Sequence, residues 1–119
     1  MFVNFSNHPS AGWGVEQREA AEKSGAICDM PFPAVPPKAT GTEIEEAAEK
    51  IAGEILSLNP DAVLCQGEFT LSYAVIRILR ENNIKVVAAC SERKSEDIIE
   101  NGSTVKKATF SFVGFREYI

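Results

Sequence analysis

Short unbroken apolar runs and stretches of helical spacing take turns along the chain. Residues 1–6 carry enough apolar side chains for a first strand. Asn7-His8-Pro9-Ser10 ends it, because Pro9 has no N–H to give a ladder and restricts the residue before it. Over 13–24 the run from Glu16 to Lys23 favours helix, with Gly25 placed as its C-cap. The apolar stripe of that helix is thin, which assigns it to the surface. Residues 26–30 predict a second strand stopped by Pro31, and the proline-rich 32–37 a stiff, extended connection. Thr42 and Glu45 have capping-box spacing, and Ile44, Ala47, Ala48, Ile51, Ala52 and Ile55 then recur at helical intervals up to Asn59-Pro60. The charged face of this helix reads as solvated surface.

Ala62-Val63-Leu64-Cys65 is the kind of run a central strand shows when both its faces are covered, and Gln66-Gly67-Glu68 stops it. Residues 70–80 predict a helix apolar on much of its circumference. Leu71, Val75, Ile78 and Leu79 lie on one side and Tyr73 and Ile76 on another, so the helix is expected to be largely buried. Asn82-Asn83 closes it, and 84–90 form a fourth strand that hands over to a loop at Ser91-Glu92-Arg93-Lys94.

Strand–helix alternation with right-handed crossovers predicts an α/β, Rossmann-like domain: a mostly parallel sheet flanked by helices. A strand order of two-one-three-four fits the apolar third strand. Asn101-Gly102 carries a tight-hairpin signal, and Ala108, Phe110 and Phe112 alternate as a last strand does. That adds a C-terminal antiparallel hairpin, with a bulge near Gly114 where Val113 and Phe115 leave the alternation. Residues 1–119 read as one domain.

Composition narrows the function classes. Hydrophobic residues at 45% and charged residues at 24% belong to an ordinary globular protein. The start lacks a signal-peptide pattern and no apolar run spans a bilayer, so a cytoplasmic protein without membrane attachment is expected. Cys28, Cys65 and Cys90 have no C-x-x-C spacing and read as reduced thiols. With a single histidine and no carboxylate-rich loop, neither a metal nor a cofactor is expected. The net charge of −5 opposes binding to long nucleic acid, and a phosphate-bearing partner would have to be small and met locally.

In open α/β sheets, ligands bind beyond the carboxyl ends of the strands. The segments to inspect there are Asn7-His8-Pro9-Ser10, Gln66-Gly67-Glu68-Phe69-Thr70 and Ser91-Glu92-Arg93-Lys94. His8 and Glu68 can exchange protons, Arg93 can clamp a phosphate, and Ser10, Thr70 and Ser91 can donate hydrogen bonds. Gly67 would let backbone approach a ligand. Each has a plainer reading too. His8 can be a surface residue, Glu68 a helix cap, Arg93 part of a solvated turn, and Tyr73 and Trp13 packing residues. Neither G-x-G-x-x-G nor a Walker loop is present.

Taken together, Asn4-Phe5-Ser6-Asn7-His8-Pro9, Gln66-Gly67-Glu68-Phe69 with Tyr73, Cys90-Ser91-Glu92-Arg93 and the Phe115-Arg116-Glu117-Tyr118 close resemble the small stand-alone CARF-like Rossmann-fold proteins that accompany type III CRISPR systems. Some of these are ring nucleases that degrade cyclic oligoadenylate. The resemblance implies a homodimer around a two-fold ligand such as cyclic tetra-adenylate. It also implies metal-independent attack of a ribose 2′-hydroxyl on the adjacent phosphate. Proton transfer would fall to His8 with Glu68, phosphate stabilisation to Arg93 and Ser91, and ligand contacts to Asn7, Pro9, Ser10, Gln66, Gly67, Phe69, Thr70, Tyr73 and Glu92. A non-catalytic sensor or sponge, a nucleoside-processing enzyme with Glu68 as nucleophile, and a plain interaction module stay open beside it.

Overall fold

A computed structural model describes Met1–Ile119 and is α/β, with a five-stranded, mostly parallel sheet. The elements are β1 (Phe2–Ser6), a 3-10 turn (Ser10–Gly12), α1 (Val15–Glu22), β2 (Ile27–Pro31), α2 (Gly41–Ser57), β3 (Ala62–Cys65), α3 (Phe69–Glu81), β4 (Lys85–Glu100) and β5 (Ser103–Glu117). Strand order is β2-β1-β3-β4-β5, parallel throughout except for β4 against β5. Pro31 closes edge strand β2 instead of lying beyond it, a position where the missing N–H breaks no ladder.

One face of the sheet is covered by α2 and α3 over Val3, Phe5, Val63, Cys65 and Val86. On the other face, Phe2, Leu64 and Val87 meet Ala21 of α1, the only residue of that helix that is buried. β3 is buried along its whole length, as its unbroken apolar run requires. The thin stripe of α1 leaves the carboxyl half of its face uncovered, and that gap becomes the site described below.

Several local expectations need correction. The capping box of α2 is formed by Thr40 and Glu43, not by Thr42 and Glu45. Both Thr-x-x-Glu pairs have the spacing, but the earlier one starts the helix and frees Glu45 to pair with Arg77 of α3 at 2.5 Å. The charged face of α2 therefore holds its neighbour as well as meeting water. α3 is amphipathic rather than largely buried: Leu71, Val75 and Leu79 face the core, whereas Phe69 and Tyr73 are exposed. Nor does Phe32 belong to a mere spacer. Its ring stacks on Phe5 at 4.6 Å and joins the core.

The largest departure lies at the C-terminal end. Ser91-Glu92-Arg93-Lys94 is no loop but the continuation of β4, which pairs with β5 from Val87↔Glu117 out to Glu100↔Ser103. Asn101 and Gly102 turn the chain at φ 50° and 76°, the left-handed pair that a two-residue hairpin needs. Val113 is left without a pairing partner beside Cys90 and Ser91, the bulge foreseen near Gly114. Beyond the bulge the hairpin is an arm. It raises the radius of gyration to 16.9 Å, against about 13–14 Å for a compact chain of this size.

Gly67 shows how tightly the β3 exit is built. A Cβ there would lie 2.5 Å from the Phe32 ring. Gly67→Ala is expected to cost about 1–3 kcal/mol in urea unfolding, and most of that loss should vanish in a Phe32→Ala background. Equal losses in both backgrounds would show that the ring is not the obstacle.

Candidate functional site

The carboxyl end of β1 is organised by a buried amide. Asn4 sits in the middle of an otherwise apolar strand and is 1% exposed, so its side chain must find partners inside the protein. Its Nδ2 donates to Asp29 Oδ1 and to the His8 carbonyl, both at 2.9 Å, and its Oδ1 accepts from Ser6 Oγ at 2.7 Å. Asp29, at the end of neighbouring β2, also accepts from the Ser10 N–H at 3.2 Å and the Ser10 hydroxyl at 3.0 Å. Trp13 Nε1 donates to the His8 carbonyl at 3.1 Å, and Arg18 to the Ser10 carbonyl at 2.6 Å. The 7–10 loop is thus tied down through its backbone, and the His8 side chain is left exposed. Burial pushes the Asp29 carboxyl up. The hydrogen bonds from Asn4 and Ser10, with Arg18 nearby, outweigh that and hold it below the usual aspartate value.

Beside this loop lies a cavity of 960 Å³ between the β1 exit, the start of α1 and the base of the arm. His8, Pro9, Gln66 and Ser91 line it, so the exits of β1 and β3 and the point where β4 enters the arm do meet. Trp13, Phe110 and Phe112 add aromatic surface. Phe112 packs on Phe115 at 5.0 Å, and Phe115 on Phe2 at 5.1 Å, so the lining is continuous with the core. Phe110 is 71% exposed. Gly14, the N-cap of α1, has no side chain to satisfy the first turn, and Gly14, Val15, Glu16 and Gln17 all face the cavity. Such a helix start offers N–H groups and a positive dipole end. Gln66 Oε1 accepts from Ala89 N at 2.6 Å, extending the β3–β4 ladder by a side chain.

The remaining sequence candidates lie elsewhere. Glu68 is the N-cap of α3: its carboxylate accepts from Leu71 N at 2.9 Å and Thr70 N at 3.0 Å, and also from the Thr70 hydroxyl. Those N–H groups of Leu71 and Thr70 hold its carboxyl below the ordinary glutamate value. A Cβ at Gly67 would collide with the Phe32 ring, and Gly67 lies outside the cavity lining. Phe69 and Tyr73 line a different hollow, on the outer side of α3 with Arg80 and Tyr118. Ser10 is spent on Asp29, while Asn7 is exposed outside the cavity lining. Glu92 and Arg93 stand on the arm, paired across it with Ser111 and Phe110. Cys65 is enclosed, and burial pushes its thiol up to about 12, which keeps it protonated and unreactive.

Sequence reading missed the carboxylate of Asp29, the uncapped start of α1 and the arm residues Phe110 to Phe112. Two signals could have found the first pair: a lone Asn inside an apolar strand, which demands a partner, and Gly12-Trp13-Gly14 ahead of a helix with no capping side chain.

Because the Asp29 carboxyl is lowered on folding, the stability it contributes is present above the unfolded value near 3.8 and is lost as pH falls through the folded one. Asp29→Asn should therefore destabilise the protein at pH 7 and much less at pH 3 in urea melts. A difference that grows toward acid would contradict the sign.

No helix is long and apolar enough to cross a membrane. No curated protein and no solved structure matches the chain. The model of the family described as "Uncharacterized protein MJ1673 family" matches residues 1–116, and the chain belongs to that family.

Proposed function

We propose that this protein binds a cyclic oligoadenylate, cyclic tetra-adenylate foremost, at the cavity beside His8 and cleaves it without a metal, acting as a cytoplasmic ring nuclease of type III CRISPR defence. What carries the reading is the meeting in one cavity of three things: an unsatisfied helix start, exposed rings and a histidine. A ring nucleotide needs all three. The first-turn N–H groups of α1 suit a phosphate, Phe110 and Trp13 suit stacked bases, and His8 suits proton transfer. The local dipole also answers the acidity of the chain, because it draws on no lysine.

In the proposed step His8 accepts the proton of a ribose 2′-hydroxyl as that oxygen attacks the adjacent phosphorus. The P–O5′ bond breaks, the departing oxygen takes up a proton from water, and the His8 imidazolium returns its proton to solvent. The products are a 2′,3′-cyclic phosphate end and a 5′-hydroxyl end. Glu68, committed to its cap, takes no part in this step, and neither does Arg93, which stands on the arm outside the cavity lining. In the homodimer that the two-fold ligand calls for, each copy would offer one such cavity.

One observation favours binding without cleavage. The His8 imidazole has no hydrogen-bond partner to orient it, for only the backbone of His8 is engaged. Incubation with cyclic tri-, tetra- and hexa-adenylate in EDTA, followed by product separation and equilibrium binding, divides the two readings. Cleavage is expected to fall about 10²–10⁴-fold in His8→Ala with binding retained. Phe110→Ala should weaken binding by about 1–3 kcal/mol. Rings bound but intact would leave a sponge or sensor. Rings neither bound nor cut would remove both readings.

A further inference from the structure

The arm poses a problem that the rest of the fold does not solve. From Ser91 to Glu100 and from Ser103 to Ser111 every residue but Ile98 is exposed, and Ile99 and Phe110 are largely so. A two-stranded ribbon with water on both faces is marginal by itself, because it buries too little to offset the ordering of its backbone. β3 pairs with β4 only at Lys85–Val87, so the outer edge of β4 along the arm has no strand beside it. A free edge of this length either repels partners by its charges or selects one.

The charges on that edge are arranged to select. Reading along β4, Arg93 and Lys94 precede Ser95, and Glu96 and Asp97 follow it. Two copies of one strand pairing antiparallel about a two-fold axis must place some residue opposite itself, and the pleat requires the axis to pass through a residue. Centred on Glu92, Arg93, Lys94, Glu96 or Asp97, the pairing sets a charge against its own copy, which is unfavourable. Centred on Ser95, it sets Arg93 beside the partner's Asp97 and Lys94 beside the partner's Glu96, each twice over. Because neighbouring side chains alternate between faces, both faces of the ribbon receive such pairs. Ser95 is thus the one position in the 92–97 run where self-pairing is attractive. The other centres within that run each set like charges against one another at the axis.

We infer that this protein dimerises through its arm: the outer edges of β4 from two copies pair antiparallel about a two-fold axis at Ser95, forming a continuous four-stranded ribbon β5-β4-β4-β5. The symmetry operator is closed, so the contact ends at two copies and does not propagate. The reading rests on the free edge and its charge order and is independent of any nucleotide at the cavity.

The test uses the full chain without nucleotide. Wild type is expected to sediment as a dimer at low ionic strength. Lys94→Glu and Glu96→Lys, each alone, should weaken dimerisation about ten-fold or more, since each places like charges opposite one another twice. An equimolar mixture of the two variants should dimerise again as a mixed pair, because every Glu then meets a Lys. Separately, Ser95→Cys should cross-link through position 95 on mild oxidation, since facing residues in an antiparallel pair lie about 4.5–5.5 Å apart at Cα, within disulfide reach. A monomeric wild type would overturn the inference. So would variants as dimeric as wild type, a mixture no more dimeric than its parts, or cross-links that avoid position 95.

Discussion

The carboxyl side of this sheet is held by one buried amide and one carboxylate. Asn4 occupies a core position of β1, where its Nδ2 is satisfied by the His8 carbonyl and Asp29 and its Oδ1 by the Ser6 hydroxyl. Asp29 in turn fixes Ser10, and the His8 carbonyl takes the Trp13 indole. One polar network therefore decides where β1 ends, how its loop folds and where α1 begins. Without it, neither the histidine nor the open helix start would have a defined place. Buried networks of this kind are costly when half made, and this one is filled through backbone and side chain together.

The thinness of α1 is the second determinant. A helix with one buried residue covers little of the sheet, and the surface it leaves bare is rimmed by side chains from three strand ends and the arm. On the opposite face α2 and α3 pack over the core, linked by Glu45 and Arg77, and the hollow on that side lies along α3 beside Tyr118. The asymmetry between the faces follows from helix composition: α2 and α3 carry apolar stripes wide enough to seal their side, and α1 does not.

Much of the fold was legible in the chain. Unbroken apolar runs marked β3 and the start of β4, helical spacing marked α2 and α3, and Asn101-Gly102 marked the hairpin, because each signal is local and has one physical cause. Less legible were features set by competition or distance. Thr40 and Thr42 offer the same cap, and only the helix start decides between them. Ser91 to Lys94 look like a polar loop because an arm with water on both faces carries no core-facing pattern. In the candidate site, His8, Gln66 and Ser91 were foreseen at the cavity, while Glu68 had two chemically sound readings and the structure uses it as the α3 cap. Asp29 and the start of α1 went unseen, since their importance comes from what Asn4 and Gly14 lack or need across the fold.

Binding of a small, base-bearing polyanion at the α1 start can be read most directly from amide chemical shifts during titration with cyclic tetra-adenylate. The N–H groups of Val15, Glu16 and Gln17 and the rings of Trp13 and Phe110 should shift together and saturate, with the outer side of α3 unmoved. Shifts confined to Phe69, Tyr73 and Arg80, or none at any of these positions, would place the ligand elsewhere or nowhere.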